Sequence, residues 1–201
     1  MRAMVKWGSA LLLGGSLILV GCGSNKPRVE RVDVNQEIAL TDRWNDEDSR
    51  LVAKEMMQDM LTFPWLSRYK MAMDDSRRPT VIVHSIRNKT DEHIPSDTFI
   101  NDIKRELIRS GEVDFVVSGD ERDQVRDERK DQELNASSDT QAAMGQETGA
   151  NFALSGTINA FVDQLGDTKV KTYQVDLKLI NMTSNREVWN GQKKMKKKMT
   201  R

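Results

Sequence analysis

The chain has 201 residues, a length that suits one domain of ordinary size. Hydrophobic residues make up 37% and charged residues 31%, a composition that can bury a modest core and argues against wholesale disorder. The 31 Lys and Arg residues balance the 31 Asp and Glu residues, so charge gives no reason to expect nucleic acid as a partner. A single cysteine excludes an intrachain disulfide and a cysteine-rich metal site.

The first 21 residues have the layout of a secretory signal peptide. A short basic head with one Arg and one Lys precedes an apolar run, Ala10 to Val20, which is too short to span a bilayer comfortably. The residues that end this segment match the lipobox of bacterial lipoproteins: Leu19, Val20, Gly21 and Cys22. In that class the thiol is diacylated before cleavage, and the new amine is acylated afterwards. We therefore predict a signal peptide at 1–21 and lipidation of Cys22, against the alternative of a buried cysteine in an uncleaved helix.

The predicted lipid fixes where the protein works. Two or three acyl chains, at about 0.8 kcal/mol per buried CH₂, hold a protein stably on a membrane. Gly23, rather than Asp, follows the cysteine, which by the sorting rule for such lipoproteins favours the outer membrane, facing the periplasm. Residues 22–40 are polar, hold Pro27 and show no helix or strand period, which predicts a flexible tether that reaches at most roughly 60 Å.

An amphipathic helix from Thr41 to Leu61 is the first predicted element of a folded domain at 41–201. Three apolar residues recur four apart along it: Val52, Met56 and Met60. Acidic residues crowd its start, where they suit the positive end of the helix dipole, and Pro64 is expected to end it. Trp44 and Trp65 flank this helix and are expected to lie in the core rather than to anchor a partner.

A strand, a helix and a second strand follow. Thr80–Ile86 is rich in β-branched residues and predicts a buried strand, after which Arg87–His93 predicts a polar loop. Ser96 is the expected N-cap of the next helix, and Gly111 its left-handed C-terminal residue. Val113–Val117 returns as a strand, and a right-handed crossover makes the two strands parallel.

The second half predicts two helices and three strands. The predicted helices are a solvated one over Glu121–Leu134 and a short one from Ser138 or Asp139 through Glu147. The predicted strands are Phe152–Val162, the alternating segment Tyr173–Leu179 and a final strand at Val188 and Trp189, with turns between them. The fold class is therefore an α/β sandwich: a mixed sheet of about five strands, parallel early and antiparallel late, with helices packed on it.

No group of residues stands out as a catalytic or cofactor site. His84 and His93 are the only histidines, and His84 lies within a predicted strand, so we expect no metal site. Phosphate-binding glycine loops and a serine nucleophile elbow are absent, and we expect neither a cofactor nor a small-molecule substrate. The run Lys193–Arg201 could touch anionic lipid, wall polymer or an acidic protein, but a solvated edge strand or frayed tail is favoured.

Four segments, in this order and spacing, resemble the LpoB family of penicillin-binding protein activators. They are TDRWNDEDSR at 41–50, IRNKT at 86–90, NFALSG at 151–156 and LINMTSNREVWNG at 179–191. The resemblance covers roughly Leu40 to Lys194, in addition to the lipoprotein signal. It implies a fold similar to the N-terminal domain of TolB. It also implies a lipoprotein that performs no chemistry itself but docks onto a class A penicillin-binding protein and stimulates glycan polymerisation and peptide crosslinking.

The tether departs from the family pattern, because the best-known members carry a long Pro-rich linker and this one is short with one proline. A second hypothesis is therefore a structural or assembly lipoprotein of an outer-membrane secretion or envelope complex. A wall hydrolase is the third and weakest hypothesis. For partner contact we select the loop after the first strand and the start of the first helix, since loops on a rigid sheet often carry recognition. The selected residues are Arg43, Trp44, Asn45, Arg87, Asn88, Lys89 and Thr90.

Overall fold

The computed structural model describes residues 29–33, 36, 38–73, 77–142, 145 and 147–200. The predicted signal peptide, the lipobox residues Leu19, Val20 and Gly21, and Cys22 all lie outside the described residues. The described residues before Asp42 contain no helix and no strand. The elements described below all belong to one compact unit, Glu37–Arg201.

Within the described residues, the domain has four helices and five strands. The helices are α1 (Asp46–Thr62), α2 (Pro64–Ala72), α3 (Ser96–Ser110) and α4 (Asp120–Asn135). The strands are β1 (Thr80–Asn88), β2 (Asp114–Phe115), β3 (Phe152–Leu165), β4 (Thr168–Asn181) and β5 (Glu187–Thr200). They form one sheet in the order β2-β1-β3-β4-β5, in which β1 is parallel to β2 and β3, and the last three strands are antiparallel. This confirms the predicted mixed α/β sheet.

Helix α1 begins at Asp46, five residues after the predicted start at Thr41. Asn45 has extended backbone angles and caps the helix: its side chain accepts from the Asp48 N–H at 2.9 Å, and the Asp48 carboxylate accepts from the Asn45 N–H at 2.9 Å. This reciprocal capping box satisfies two of the N–H groups that a helix start leaves unpaired, which fixes the boundary there. The predicted apolar face is confirmed, because Val52, Met56 and Met60 are all buried.

Pro64 ends α1 as predicted, but it also begins a second helix that the sequence analysis did not predict. Phe63 has an extended backbone, and Pro64 then occupies the first turn of α2, where its missing N–H costs nothing. Trp65 lies in the core with 4% of its surface exposed, and its Nε1 donates to the Met60 carbonyl at 2.7 Å. The predicted burial of this tryptophan is therefore confirmed.

Two predicted boundaries around β1 and α3 are wrong. Strand β1 extends two residues further, because Arg87 and Asn88 continue its pairing with Thr157 and Ile158 of β3. Ser96 is the first helical residue of α3 rather than its cap; Pro95 occupies the cap position, and no side chain caps this end. The C-terminal end is as predicted, since Gly111 has a φ of 68°, a left-handed conformation that glycine adopts without steric cost.

The short helix predicted from Ser138 or Asp139 through Glu147 is absent from the described part of that segment. Residues 138–140 form a turn in which the Thr140 N–H donates to the Ser137 carbonyl at 3.0 Å. The segment has capping residues but no apolar stripe, and a short helix without a face to bury is not stable. Glu147 instead pairs with Arg126 of α4 at 2.9 Å. Helix α4 is solvated as predicted, with no buried residue.

Two tight turns connect the antiparallel strands, which run further than predicted. Gly166 and Asp167 alone separate β3 from β4, and Gly166 has a φ of 55°. The β4–β5 turn is held by the side chain of Asn181, which accepts from the backbone N–H of Thr183 at 3.1 Å and of Ser184 at 2.9 Å. Strand β5 continues through the lysine-rich run to Thr200 and forms one edge of the sheet. This agrees with the edge strand that the sequence analysis gave as one of two favoured interpretations of the run.

The core lies between the sheet and the helices α1 and α3. Strand β4 shows the predicted alternation, because Tyr173, Val175, Leu177 and Leu179 are buried while the residues between them are more exposed. Trp189 of β5 is 2% exposed, and its Nε1 donates to Asp59 of α1 at 2.8 Å. The last strand is therefore fastened directly to the first helix.

Candidate docking site

The two segments selected for partner contact meet at one end of the sheet. The loop after β1 approaches the chain just before α1, where the backbone N–H of Trp44 donates to Glu92 Oε2 at 3.1 Å. Strand β4 supplies Lys171 and Tyr173 beneath this contact. Two segments that the sequence analysis selected separately are thus joined by residues 48 positions apart in sequence.

The loop after β1 is held by its own side chains. Asn88 Nδ2 donates to the Glu92 carbonyl at 2.6 Å, while Asn88 Oδ1 accepts from the Thr90 N–H at 2.9 Å and from the Thr90 hydroxyl at 2.8 Å. An amide that bonds the backbone two residues ahead stabilises a compact turn. Asn88 and Thr90 thus shape the loop, which presents Glu92 inward.

A buried polar group, named here the Glu92 cluster, consists of Glu92, Lys171 and Tyr173. Lys171 forms an ion pair with Glu92, and their side chains are only 3% and 12% exposed. The Tyr173 hydroxyl lies 2.7 Å from Glu92 Oε2 and 3.1 Å from the Asp42 carbonyl oxygen. Two further pairs border the cluster: Lys171 with Asp91 at 3.3 Å and Lys169 with Asp42 at 2.8 Å.

The contacts of the cluster fix its charges. Burial raises the pKa of Glu92, but hydrogen bonds from Lys171, Tyr173 and the Trp44 N–H outweigh burial and leave that pKa below its usual value. Burial lowers the pKa of Lys171, but Glu92 and Asp91 outweigh it, and the pKa is raised. Burial and the Glu92 carboxylate both raise the pKa of Tyr173. At neutral pH the cluster therefore holds one carboxylate, one ammonium and one neutral phenol.

These charge states suit a structural junction better than acid–base chemistry. A general acid or base works best with a pKa near the operating pH, and all three groups are shifted away from neutrality. The cluster opens to an adjoining cavity of about 440 Å³ with a charged lining that includes Arg43, Asp91, His93 and Lys169. The hydrogen bonds and ion pairs of the cluster therefore hold this end of the sheet in one arrangement.

The seven residues selected from the sequence divide into two groups. Four have structural roles: Trp44 packs edge-on against Phe99 and Tyr173 at 6.0 and 5.5 Å, Asn45 caps α1, and Asn88 and Thr90 shape the loop. The other three, Arg43, Arg87 and Lys89, have exposed side chains. Arg87 borders a separate groove on the sheet, beside Ser155 and Asp176. Arg43 and Lys89 are therefore the selected residues best placed to meet a partner at the cluster.

The members of the Glu92 cluster were not selected from the sequence, although a local signal for one of them exists. Lys171 precedes Tyr173 by two residues, so both side chains lie on the same face of β4. A lysine on the core face of a strand requires a buried carboxylate, because an unpaired buried charge is costly. Which carboxylate serves that purpose, 79 residues away, does not follow from spacing.

The described residues give no sign of a metal site or a membrane span. Within them, no group of three or more His, Cys, Asp or Glu residues is arranged to hold a metal ion. His84 lies in β1 as predicted and is exposed, as is His93. None of the helices from α1 to α4 combines the length and the apolar character that crossing a bilayer requires.

Residues 48–195 match the family model described as the peptidoglycan-synthase activator LpoB. Solved structures with a similar arrangement include the LpoB C-terminal domain from Escherichia coli, at 16% identity and a TM-score of 0.39, covering 69% of this chain and 94% of that one. Another is lipoprotein GNA1162 from Neisseria meningitidis, at 12% identity and 0.39, covering 61% and 84%. A third is the PelC dodecamer from Paraburkholderia phytofirmans, at 18% and 0.34, covering 61% and 74%. No curated protein matches the chain.

Proposed function

Because the chain belongs to the LpoB family of peptidoglycan-synthase activators, we propose that it binds a class A penicillin-binding protein and activates it without catalysing a reaction itself. The observation that carries this proposal is the extent of the family match, from the first turn of α1 to the lysine-rich part of β5. The match therefore includes at least part of each strand and helix from α1 to β5. The four sequence segments that resemble the family fall within nearly the same limits.

The proposed mechanism is stabilisation of an active enzyme conformation. A non-catalytic partner accelerates an enzyme when it binds the active conformation more tightly than the inactive one. The Glu92 cluster suits this role, because its internal hydrogen bonds hold the loop and the helix start in one arrangement before binding. A surface that is already ordered loses less conformational entropy on association. Arg43 and Lys89 then offer cationic contacts to an acidic patch of the enzyme.

A reconstituted assay tests this proposal. The full lipoprotein is mixed with a purified class A penicillin-binding protein, and glycan polymerisation and crosslinking are followed with labelled lipid II. We expect a severalfold increase in both rates. The variant Arg43→Glu/Lys89→Glu should weaken binding at least tenfold, because like charges then face each other across the contact. The matched control Lys54→Glu/Lys178→Glu makes the same charge change at other exposed positions and should retain activation.

Absence of binding and of stimulation with every class A enzyme of the same cell would contradict the proposal. Equal loss in the test variant and in the control would instead mean that general charge, not the loop surface, governs binding. The unfolding curve of each variant is measured as well, so that loss of binding caused by unfolding is recognised.

The membrane anchor belongs to the same proposal. We infer that the Cys22 thiol carries lipid and places the protein on the periplasmic face of the outer membrane. Replacing the acylated sulfur, as in Cys22→Ser, should release the protein into the soluble periplasmic fraction, whereas the unchanged protein should sediment with outer membranes. A variant that stays equally firmly bound would exclude the lipid as the anchor.

The tether sets a distance limit on this function. Residues 22–40 reach at most roughly 60 Å when fully extended, so the enzyme surface that is bound must come within that distance of the anchoring membrane. This short reach favours a second candidate, a structural or assembly lipoprotein of an outer-membrane complex. Native mass measurement in mild detergent distinguishes them: large rings support the assembly role, and a monomer that gains mass only with the synthase supports activation.

A further inference from the structure

The end of the sheet at the β3–β4 turn exposes apolar side chains. We call residues 161–172 together with 194–200 the ribbon tip. Three large apolar side chains of its first strand are exposed: Phe161 at 59%, Val162 at 52% and Leu165 at 87%. The rest of β3 buries its apolar residues, so exposure is confined to this end of the strand. Because side chains alternate along a strand, Phe161 and Leu165 lie on one face and Val162 on the other. Neighbouring exposed apolar side chains on one face of a folded domain often mark a contact surface.

Three lysines stand on one face of the same ribbon tip. On β5, Lys193 and Lys197 point towards α1 and form ion pairs with Glu55 and Asp48. The lysines that alternate with them are exposed and point to the opposite face: Lys194, Lys196 and Lys198. The pairing between strands shows which residues of β4 and β3 lie on the same face as these lysines. Lys196 lies opposite Thr172, which lies opposite Phe161, so the cations and an apolar ring share one face.

The polypeptide enters the folded domain beside this tip. Lys169, two positions after the turn, holds the Asp42 carboxylate at 2.8 Å, and Lys197 donates to the Arg43 carbonyl at 2.8 Å. About twenty residues separate Asp42 from Cys22, the predicted site of the lipid. The ribbon tip is therefore the part of the sheet at which the tether from the membrane arrives.

From these three observations, we propose that the ribbon tip docks onto the anionic phospholipid surface of the membrane that carries the anchor. The lysines bind lipid phosphates, and Phe161 and Leu165 enter the interface between headgroups and acyl chains. Lysine next to exposed apolar side chains is the composition of surfaces that lie on anionic bilayers. The inference depends on the anchor at Cys22 and is independent of which enzyme the protein activates.

A second copy of the chain fits this surface less well than a bilayer does. Two copies that paired along β5 would bring their lysine rows together, and like charges directly opposite each other on a sheet destabilise the pairing. On the face that carries the three lysines, Asp163 of β3 pairs with Val170 of β4, and Val170 pairs with Lys198 of β5. Asp163 is therefore the strand carboxylate closest to the lysines. The turn adds a second carboxylate, Asp167, and three cations against two carboxylates still leave a positive surface, which complements anionic lipid.

A thiol reporter tests the docking. In the anchored protein the sulfur of Cys22, the single cysteine, carries lipid, so Asp167→Cys in the β3–β4 turn supplies one free thiol for an environment-sensitive fluorophore. The labelled lipoprotein is inserted into vesicles of phosphatidylcholine or of equal phosphatidylcholine and phosphatidylglycerol. We expect a blue shift in the mixed vesicles only, weakened by salt. The matched reporter Ser184→Cys, in the turn at the other end of the ribbon, should not shift.

Charge removal sharpens the test. In the Asp167→Cys background, Lys194→Gln/Lys196→Gln/Lys198→Gln should lower the ratio of docked to undocked protein about tenfold or more, given the usual contribution of a lysine near an anionic surface. The control Lys54→Gln/Arg68→Gln/Lys130→Gln removes as much charge elsewhere, at exposed positions on helices, and should leave the ratio unchanged.

Three outcomes overturn the inference. If the protein floats with the mixed vesicles but the reporter does not shift, docking is contradicted and the anchor is not. Activation of the synthase by the same preparation would then show that the proposed function survives. An equal effect of the two lysine triplets contradicts the assigned face. Protein that does not float with the vesicles contradicts the anchor and the docking together.

Discussion

Helix α4 and the Glu92 cluster are both built from charged residues, yet burial gives them different roles. None of the sixteen residues of α4 is buried, and its pair between Arg126 and Glu147 has side chains that are 46% and 32% exposed. In the cluster, Lys171 and Glu92 are 3% and 12% exposed. Water solvates an exposed charge whether or not a partner is present. A buried charge depends on its partner, so only the cluster couples distant parts of the chain.

The largest effect is expected from removing the cation of the cluster. Lys171→Met leaves the Glu92 carboxylate buried without its ion-pair partner, and breaking a buried pair in this way typically costs about 3 kcal/mol. Urea unfolding at neutral pH measures the change in the free energy of unfolding. The double variant Lys171→Met/Glu92→Leu should recover part of the loss, since no uncompensated charge remains. A single variant as stable as the unchanged protein would mean that the pair is solvated.

A smaller effect is expected from removing the phenol hydroxyl. Tyr173→Phe deletes the hydrogen bond to the charged Glu92 and should cost about 1.5 kcal/mol. Tyr69→Phe is a matched control, because the Tyr69 hydroxyl bonds the neutral Asn151 amide oxygen at 3.1 Å and should cost about 0.5 kcal/mol. Equal losses in the two variants, measured by the same unfolding curves, would contradict the charged character of the cluster.

The dependence of stability on pH provides a third test. The pKa of Glu92 is lower in the folded protein than its ordinary value, so its contribution is present above about pH 4.3 and is lost as the pH falls through the folded pKa. The pKa values of Asp42 and Asp91 are lowered too, and they act in the same direction. Melting temperatures should therefore fall below about pH 4, and less steeply in Glu92→Gln. Parallel acid profiles would contradict this assignment.

The smallest effect is expected on α4. Arg126→Ala removes one of two partners of Glu147, which keeps Arg129 at 3.3 Å, and exposed pairs often contribute nothing measurable, so the unfolding curve should not move. The same substitution should leave synthase activation intact. A clear loss of stability would mean that α4 and the segment around Glu147 form a tighter unit than their exposure indicates.

Features set by neighbouring residues were predictable from the sequence. The buried face of α1 follows from a four-residue spacing, and the end of α3 follows from Gly111, because both depend on residues within one or two helical turns. The predicted helix after Ser138 shows the limit of such signals. Capping residues mark where a helix could begin and end, but an apolar face is needed for it to be stable.

The site was predictable only in part, for a physical reason. The loop after β1 and the start of α1 were selected separately for partner contact, and the structure shows that they are neighbours; the residues that join them are Glu92 and two residues of β4. Lys171 and Tyr173 lie about eighty positions away in the chain, and their contact with the loop is set by the order of the strands. The capping role of Asn45 was also missed, because exposure cannot be judged before the packing is known, whereas Trp44 packs against the core as expected.

The attachment of the last strand to the first helix has a consequence for how the chain folds. Trp189, Lys193 and Lys197 contact Asp59, Glu55 and Asp48, pairs separated by 130 to 149 residues. Such distant contacts form slowly, and here they cannot form until residues of strand β5 have been synthesised. A nascent chain of this design stays open until that strand has emerged, and an open chain is the form that the proposed export across a membrane requires.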